Sequence, residues 1–243
     1  MTAPSITPVT RLEVRCVERD WAWADEHRRV IDAFWEAAKD RQPALFDGAV
    51  YMFADLRIEG DACRAVCFET RFSRLLYAKR MGFPDPSVVN AFAMGALRAE
   101  DGAFVLGVMG PETANAGQIY FPSGSPDPSD RRDGMLDLSG SISRELAEET
   151  GLADGEYRVD KGWSVVRDGG LVAFLRPVGL SGDAEEVRAL MLARMSRLPE
   201  QELADIYIAR GPGDIDERRM PPFIQAYLRW AFAEPGWPAS SAS

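Results

Sequence analysis

The chain is 243 residues long, with 46% hydrophobic and 27% charged residues, proportions of a globular protein large enough to bury a core without disulfide or metal staples. These values exclude a disulfide miniprotein, a collagen-like fibre and wholesale disorder. The 28 basic against 38 acidic residues leave a formal charge of −10, which argues against nucleic-acid or membrane-surface binding. A small phosphate-bearing ligand, held by a few arginines or by divalent ions, stays compatible with that charge.

No apolar run reaches the ~20 residues of a membrane-spanning helix. The opening MTAPSITPVTR has neither the basic start nor the apolar stretch of a signal peptide. Cys16, Cys63 and Cys67 form neither an even set nor a Cys-x-x-Cys clip, so free thiols in a cytoplasmic protein are expected.

In chain order, residues 1–10 and 234–243 are rich in Pro, Ser and Ala and read as poorly ordered ends. Arg11 to Glu18 alternates, with Leu12, Val14 and Cys16 on one side, and predicts a half-buried strand. From Asp20 to about Lys39 the period lengthens: Trp23, His27, Val30, Ile31, Phe34, Trp35 and Ala38 fit one helix face, with Asp20 as N-cap. His27, the only histidine, reads as a hydrogen-bonded core residue; a His-rich metal cluster and a Ser-His-Asp triad are both set aside. Ala49 to about Arg80 reads as strands turning at Glu59-Gly60-Asp61.

Phe83–Asn90, with two prolines, reads as a linker, and a boundary is placed near Pro86. Two strands turning at Glu100-Asp101-Gly102 follow, then a helix over about Ser141–Thr150. Strands are expected at about Tyr157–Val166 and Leu171–Val178, a helix at Ala184–Arg197, a short strand near Ile206 and a last helix at Pro222–Phe232. Strands and helices that do not alternate strictly indicate an α+β fold.

One segment carries chemistry: SISRELAEETGL, Ser141 to Leu152. On an α-helix closed by Gly151, Glu145, Glu148 and Glu149 share one face within an arc of about 100°. Like charges at these spacings repel, and the helix C-terminus is the negative end of its dipole. Two readings follow: a solvated glutamate face, or a site where a hard divalent cation such as Mg²⁺ or Mn²⁺ reverses the sign of the interaction.

RELAEETGL, Arg144 to Leu152, resembles the second half of the Nudix box, R-E-U-x-E-E-x-G-U with U aliphatic, and fits at every specified position. Upstream, IYFPSG (Ile119–Gly124) is similar to the strand and turn that open the box, with Ser123 in place of the first glycine. The first half departs: the family has fourteen positions from that Gly to the Arg, whereas Gly124 to Arg144 spans twenty. The first box Glu falls on Leu136 counted backward or Asp130 counted forward; Asp137 or Asp133 is read as taking its role of holding the Arg.

The resemblance implies a Nudix α/β/α sandwich with an N-terminal β-rich α/β extension: residues 11–87 the extension, 88–233 the Nudix hydrolase domain and 234–243 a disordered tail. It implies Mg²⁺- or Mn²⁺-dependent hydrolysis of a nucleoside diphosphate linked to another group. Glu145, Glu148, Glu149 and the Gly124 carbonyl would be metal ligands, and Arg144 would orient a box glutamate. The base is Glu148, Glu149 or a later acid among Glu202, Asp205, Asp214 and Asp216.

The lengthened box and the extension look like the branch that includes UDP-sugar diphosphatases, so a nucleotide sugar such as UDP-glucose is the expected substrate, giving UMP and sugar 1-phosphate. ADP-ribose, dinucleoside polyphosphates and CoA, or a catalytically silent nucleotide sensor, are the alternatives. A small-molecule substrate is the expected partner, without nucleic acid or membrane, and a homodimer is the family habit. Arg131 and Arg132 in the inserted loop, and Arg71, Arg74, Lys79 and Arg80 upstream, are candidate substrate contacts, with Tyr77 and Phe121 candidates for stacking on a base.

Overall fold

The computed structural model describes residues 3–43, 45–113 and 115–234. In chain order the first half contains β1 (Ser5–Val9), β2 (Arg11–Val17), α1 (Ala22–Glu26), α2 (Arg28–Arg41), β3 (Ala49–Glu59), β4 (Ala62–Arg71) and α3 (Phe72–Arg80). There follow β5 (Val88–Arg98), β6 (Phe104–Met109), β7 (Ile119–Tyr120), β8 (Arg131–Arg132), β9 (Met135–Leu136) and α4 (Leu138–Glu145). The last part holds β10 (Tyr157–Val159), β11 (Trp163–Asp168), β12 (Leu171–Leu180), α5 (Ala184–Met195), β13 (Leu203–Ala209) and α6 (Pro222–Ala233). Apart from Glu234, the tail expected to be disordered lies outside the described residues.

Three local expectations are corrected. Residues 5–9 are not frayed: β1 pairs antiparallel with β11, Ile6 opposite Val166 and Pro8 opposite Ser164. Its place at the sheet edge is what lets a strand contain a proline. The helix expected from Asp20 is broken into α1 and α2, and starts after Trp21. His27 stands at the break; its Nδ1 lies 2.8 Å from the Trp23 carbonyl oxygen and its ring stacks on Trp23, half-exposed rather than in the core.

The third correction concerns Phe72–Arg80, which is helical, not strand. Asp47 caps it from a distance: its carboxylate accepts the Ser73 amide at 2.7 Å and also binds Arg71. The apolar positions Leu75 and Ala78 then turn inward against β3 and β4.

The two-residue period of β3 explains the layering. Val50, Met52 and Ala54 face a core shared with α1–α3 (Trp21, Ile31, Leu75), whereas Tyr51 and Phe53 face the main core. A strand covered on both faces reads as a continuous apolar run, as AVYMFA does. Strand β5 is the seam: it joins β3 antiparallel at Phe53↔Val89 and Ala54↔Val88, and runs parallel to β12 from Asn90↔Leu171 to Arg98↔Gly179. The mixed sheet runs β1-β11-β12-β5-β3-β4-β2-β9-β8, with β6, β7, β10 and β13 joined to its flank.

Helix α4 lies on β5, close enough that a Cβ at Gly95 would meet Ile142 at 3.2 Å. Helices α5 and α6 pack elsewhere on the same sheet system, α6 bringing Tyr227 against Phe104 and Phe121. No helix among the described residues is long and apolar enough to cross a membrane.

Candidate metal centre and adjoining cleft

Asp137 begins the glutamate-bearing helix: as N-cap of α4 its carboxylate accepts the Gly140 amide at 2.9 Å. The expected single α-helix over Ser141–Thr150 changes pitch. After Glu145 the backbone widens into one π turn, Leu146–Thr150, with the Thr150 hydroxyl bonded to the Leu146 carbonyl at 2.5 Å. Single π turns of this kind mark functional sites often, because they re-aim neighbouring side chains. Gly151 closes the element in the left-handed region (φ 73°), as expected from sequence. Arg194 of α5 then fastens that end, donating to the Gly151 carbonyl and to both oxygens of Glu156.

Glu145 and Glu149 are buried on this element, at 8% and 4% exposure, while Glu148 faces solvent. Glu202, immediately before β13, belongs to the same electrostatic group and raises both buried carboxyls. Burial is the main cause in each case: the Glu145 carboxyl is pushed up to about 7, against the pull of Arg144, and that of Glu149 to about 9. Burial, then the Glu200 and Glu148 charges, raises Glu202 as well. A hydrogen bond from the Ser123 backbone partly offsets the shift at Glu149, whose Oε2 is nonetheless buried with no hydrogen-bond partner.

Arg144 links three carboxylates. Its Nη1 lies 2.7 Å from Glu145 and 3.2 Å from Glu148, and its Nη2 is 3.3 Å from Asp130. Despite burial, which lowers it, the Glu145 and Asp130 charges raise the guanidinium further above its ordinary value. The partner from the inserted loop is therefore Asp130, the residue reached by counting forward from Gly124. Asp137 is occupied as N-cap, and Asp133 sits in a turn at φ 50°.

Gly124 lies against the same group. A Cβ built there would fall 2.0 Å from Glu145 Oε1, so only glycine permits this approach. Hard, poorly compensated carboxylate oxygens beside an orphaned buried one suit Mg²⁺ or Mn²⁺. The ligands are not preassembled: among the described residues no trio of Asp, Glu, His or Cys side chains already stands grouped around an ion position. Arg144, between Glu145 and Glu148, accounts for the spacing.

The loop carrying Ser123 and Gly124 also forms one wall of a 340 Å³ cleft. Lys79 from α3, Asn90 and Phe92 from β5, Asp168 from β11 and Phe223 from α6 line it as well. Of the candidate substrate contacts, Lys79 alone reaches this cleft. Arg71 is paired with Asp47, Arg74 with Asp25, and Arg132 donates to the Ser129 and Arg131 carbonyls. Arg131 is exposed on β8, opposite Leu136.

Neither proposed stacking residue is free to stack. Phe121 is wholly buried against Phe104 and Tyr227, and Tyr77 packs on Trp23 and Phe34. Of the later acids, Asp205 binds Arg188, Asp216 binds Arg219, and Asp214 accepts from the Arg210 and Gly211 amides, which leaves Glu202 with the cluster. Sequence reading does not single out Asp168, because only the tertiary arrangement brings the end of β11 to the cleft beside Ser123 and Gly124.

No family model and no curated protein matches the chain. Among solved structures it is similar to a Nudix hydrolase from M. Smegmatis, RenU, at 13% identity and TM-score 0.39 over 58% of this chain and 80% of that one. It is similar also to the MutT protein from Methanosarcina mazei Go1, at 15% identity and TM-score 0.35 over 58% and 91%. A third is a mutant of the Bacillus subtilis pyrophosphohydrolase BsRppH, at 14% identity and TM-score 0.30 over 56% and 68%.

The Nudix-like box departs from the pattern in its first half, with Ser123 for the first glycine, no Glu at the first box Glu position and a six-residue enlargement between Gly124 and Arg144, and this enlargement forms the short β8–β9 hairpin that reaches β2 at Arg15↔Met135.

Proposed function

We propose that this protein is a divalent-metal-dependent hydrolase of the pyrophosphate in a nucleoside diphosphate linked to a second group. The observation that carries the reading is the Glu149 carboxylate: buried, raised to about 9, and with one oxygen lacking any partner, beside Glu145, Glu148 and Glu202. Leaving such a buried oxygen unsatisfied costs about 1–3 kcal/mol, so a ligand at this place has a physical rationale. Glu145, Glu148, Glu149 and the Gly124 carbonyl are the residues that would hold the ion.

When bound, the ion supplies charge neutralisation for the pyrophosphate and a lowered pKa for its water. The chain's own residues do the rest. Gly124 lets the Glu145 carboxylate stand against the loop that carries Ser123 and Gly124. Arg144, braced by Asp130, fixes the direction of Glu145 and Glu148. Proton removal from the attacking water falls to Glu148, Glu149 or Glu202, whose charges act on one another.

The preferred substrate is a nucleotide sugar such as UDP-glucose, cleaved to UMP and sugar 1-phosphate. ADP-ribose, dinucleoside polyphosphates and CoA are the alternatives on the same carboxylates. The residues upstream of β5 act as an extension that brings Lys79 to the cleft. A second reading, a nucleotide sensor, is favoured by one observation: Arg144 already engages Glu145 and Glu148 where a metal would compete.

The test is chromatographic product analysis with Mg²⁺ or EDTA on a panel of UDP-glucose, ADP-ribose, NADH, a dinucleoside polyphosphate and CoA. Mg²⁺-dependent release of UMP and glucose 1-phosphate, abolished in Glu149→Gln, is the expected result. Binding without cleavage of any member would move the assignment to the sensor.

A further inference from the structure

Resting on that reading, we infer that the cleft beside Gly124 is a subsite for a neutral, hydroxyl-rich moiety, with Asp168 its specificity-determining residue and Lys79 its single cation. The charge inventory of the walls is the first argument. Among the described lining residues Lys79 and Asp168 are the only cation and carboxylate, and the polar remainder is neutral: the amides Asn90, Asn115 and Gln118 and the hydroxyls of Tyr120, Ser123 and Ser125. A pocket for a second phosphate cluster needs several cations or bidentate arginines. Here one lysine and one carboxylate share the lining, and a carboxylate repels further phosphate.

The second argument is that these groups lack partners of their own. Neither Lys79 nor Asp168 takes part in an ion pair among the described residues, whereas Arg71 and Arg74, shortly before Lys79 in the chain, are paired with Asp47 and Asp25. Asp168 is half-buried at the end of β11, and desolvation raises its carboxyl. A carboxylate in that position accepts two hydrogen bonds well, as a vicinal diol offers. Phe92 and Phe223, edge-to-face with centroids 5.8 Å apart, supply the apolar wall that a sugar or base face packs on.

The chemistry thus favours a nucleoside diphosphate joined to an uncharged sugar over CoA and dinucleoside polyphosphates, whose extra phosphates would meet Asp168. A site built to bond hydroxyls discriminates strongly, because its polar groups are left unpaired when the wrong moiety enters.

The experiment measures KM and kcat for UDP-glucose and CoA with Mg²⁺, and UDP-glucose binding by calorimetry in EDTA, for wild type, Asp168→Asn, Asp168→Ala and Lys79→Met. The expected result is a KM for UDP-glucose raised about tenfold in Asp168→Asn, with kcat within about twofold and the preference over CoA reduced. Lys79→Met should raise KM for both compounds. An unchanged KM and preference in both Asp168 variants, with wild-type cleavage intact, would overturn the subsite and leave the hydrolase standing. Absence of cleavage, with UDP-glucose binding weakened in Asp168→Ala, would remove the hydrolase and support the subsite. Neither cleavage nor binding of UDP-glucose would remove both.

Discussion

The Glu145 carboxylate fills the space where a side chain at position 124 would begin: a Cβ on Gly124 would lie 2.0 Å from Oε1 and 2.4 Å from Cδ. Both partners are fixed from elsewhere, Glu145 by Arg144 and Gly124 by a loop running past the glutamate helix. Gly124→Ala is therefore expected to push Glu145 aside at a cost of about 1–3 kcal/mol and to reduce kcat at least tenfold. Steady-state kinetics together with chemical denaturation would check this, and wild-type activity in a folded Gly124→Ala protein would refute the contact.

Glu149 gives a pH prediction for the metal-free protein. Its carboxyl is raised from 4.5 to about 9, so the native state keeps a proton that the unfolded chain releases. Stability from that protonated group is complete below about pH 4.5 and is lost progressively as pH rises toward 9. Urea unfolding in EDTA should show wild type losing up to about 1 kcal/mol per pH unit between pH 6 and 8 at this group. Glu149→Gln should have a flatter profile and a higher midpoint at pH 8. Identical slopes would show that the Glu149 carboxyl is not held protonated.

Divalent ions should act in the opposite sense. Mg²⁺ binding to the native carboxylates raises stability by mass action, about 2.7 kcal/mol at a hundredfold excess over Kd. The melting temperature of wild type should climb with Mg²⁺ at pH 8, and that of Glu149→Gln should respond far less. An equal Mg²⁺ response in both proteins would remove Glu149 from the ligand set.

Arg144 is not interchangeable with lysine. A planar guanidinium reaches Asp130, Glu145 and Glu148 together, whereas an ammonium is a single point charge. Arg144→Lys should keep the fold, raise the Mg²⁺ concentration needed for half-maximal activity and lower kcat. Unchanged Mg²⁺ dependence would mean that the arginine does not position the glutamates.

Arg194 provides the remaining prediction. It ties the end of the glutamate element to α5 through the Gly151 carbonyl and Glu156, whose carboxyl the guanidinium holds at about 2. That lowered carboxyl contributes stability present above about pH 4.5 and lost as pH falls toward 2. Arg194→Met should lower the melting temperature at pH 7, with a difference from wild type that shrinks toward pH 2. A difference independent of pH would assign the effect to packing alone.

Legibility from sequence follows the range of each interaction. The glutamate helix was readable because its glutamate spacing and its closing Gly151 are local, although its cap, Asp137, reads from sequence as a partner of Arg144. Helix α3 was not: Arg71 occupies its N-cap position, and the capping carboxylate, Asp47, lies 26 residues away in the chain along the Asp47–Ser73 bond. Strand β1 was hidden for the same reason, since Pro8 argues against a strand until its partner at Ser164 puts it on an edge. The basic residues misled similarly, because a charge in sequence does not reveal whether an acid such as Asp25 or Asp47 already claims it.

By itself, the sequence determined what periodicity, turn chemistry and charge spacing encode: the α+β composition, the hairpin turns, and three glutamates sharing one face at a helix end, where they repel each other. Only the tertiary structure decided which side chains meet. It brought Asp130 to Arg144, Glu202 to the box glutamates, and Lys79 and Asp168 to one cleft. Those pairings depend on strand order and chain crossings, whose stabilisation comes from burial summed over the whole sheet and is carried by no single segment.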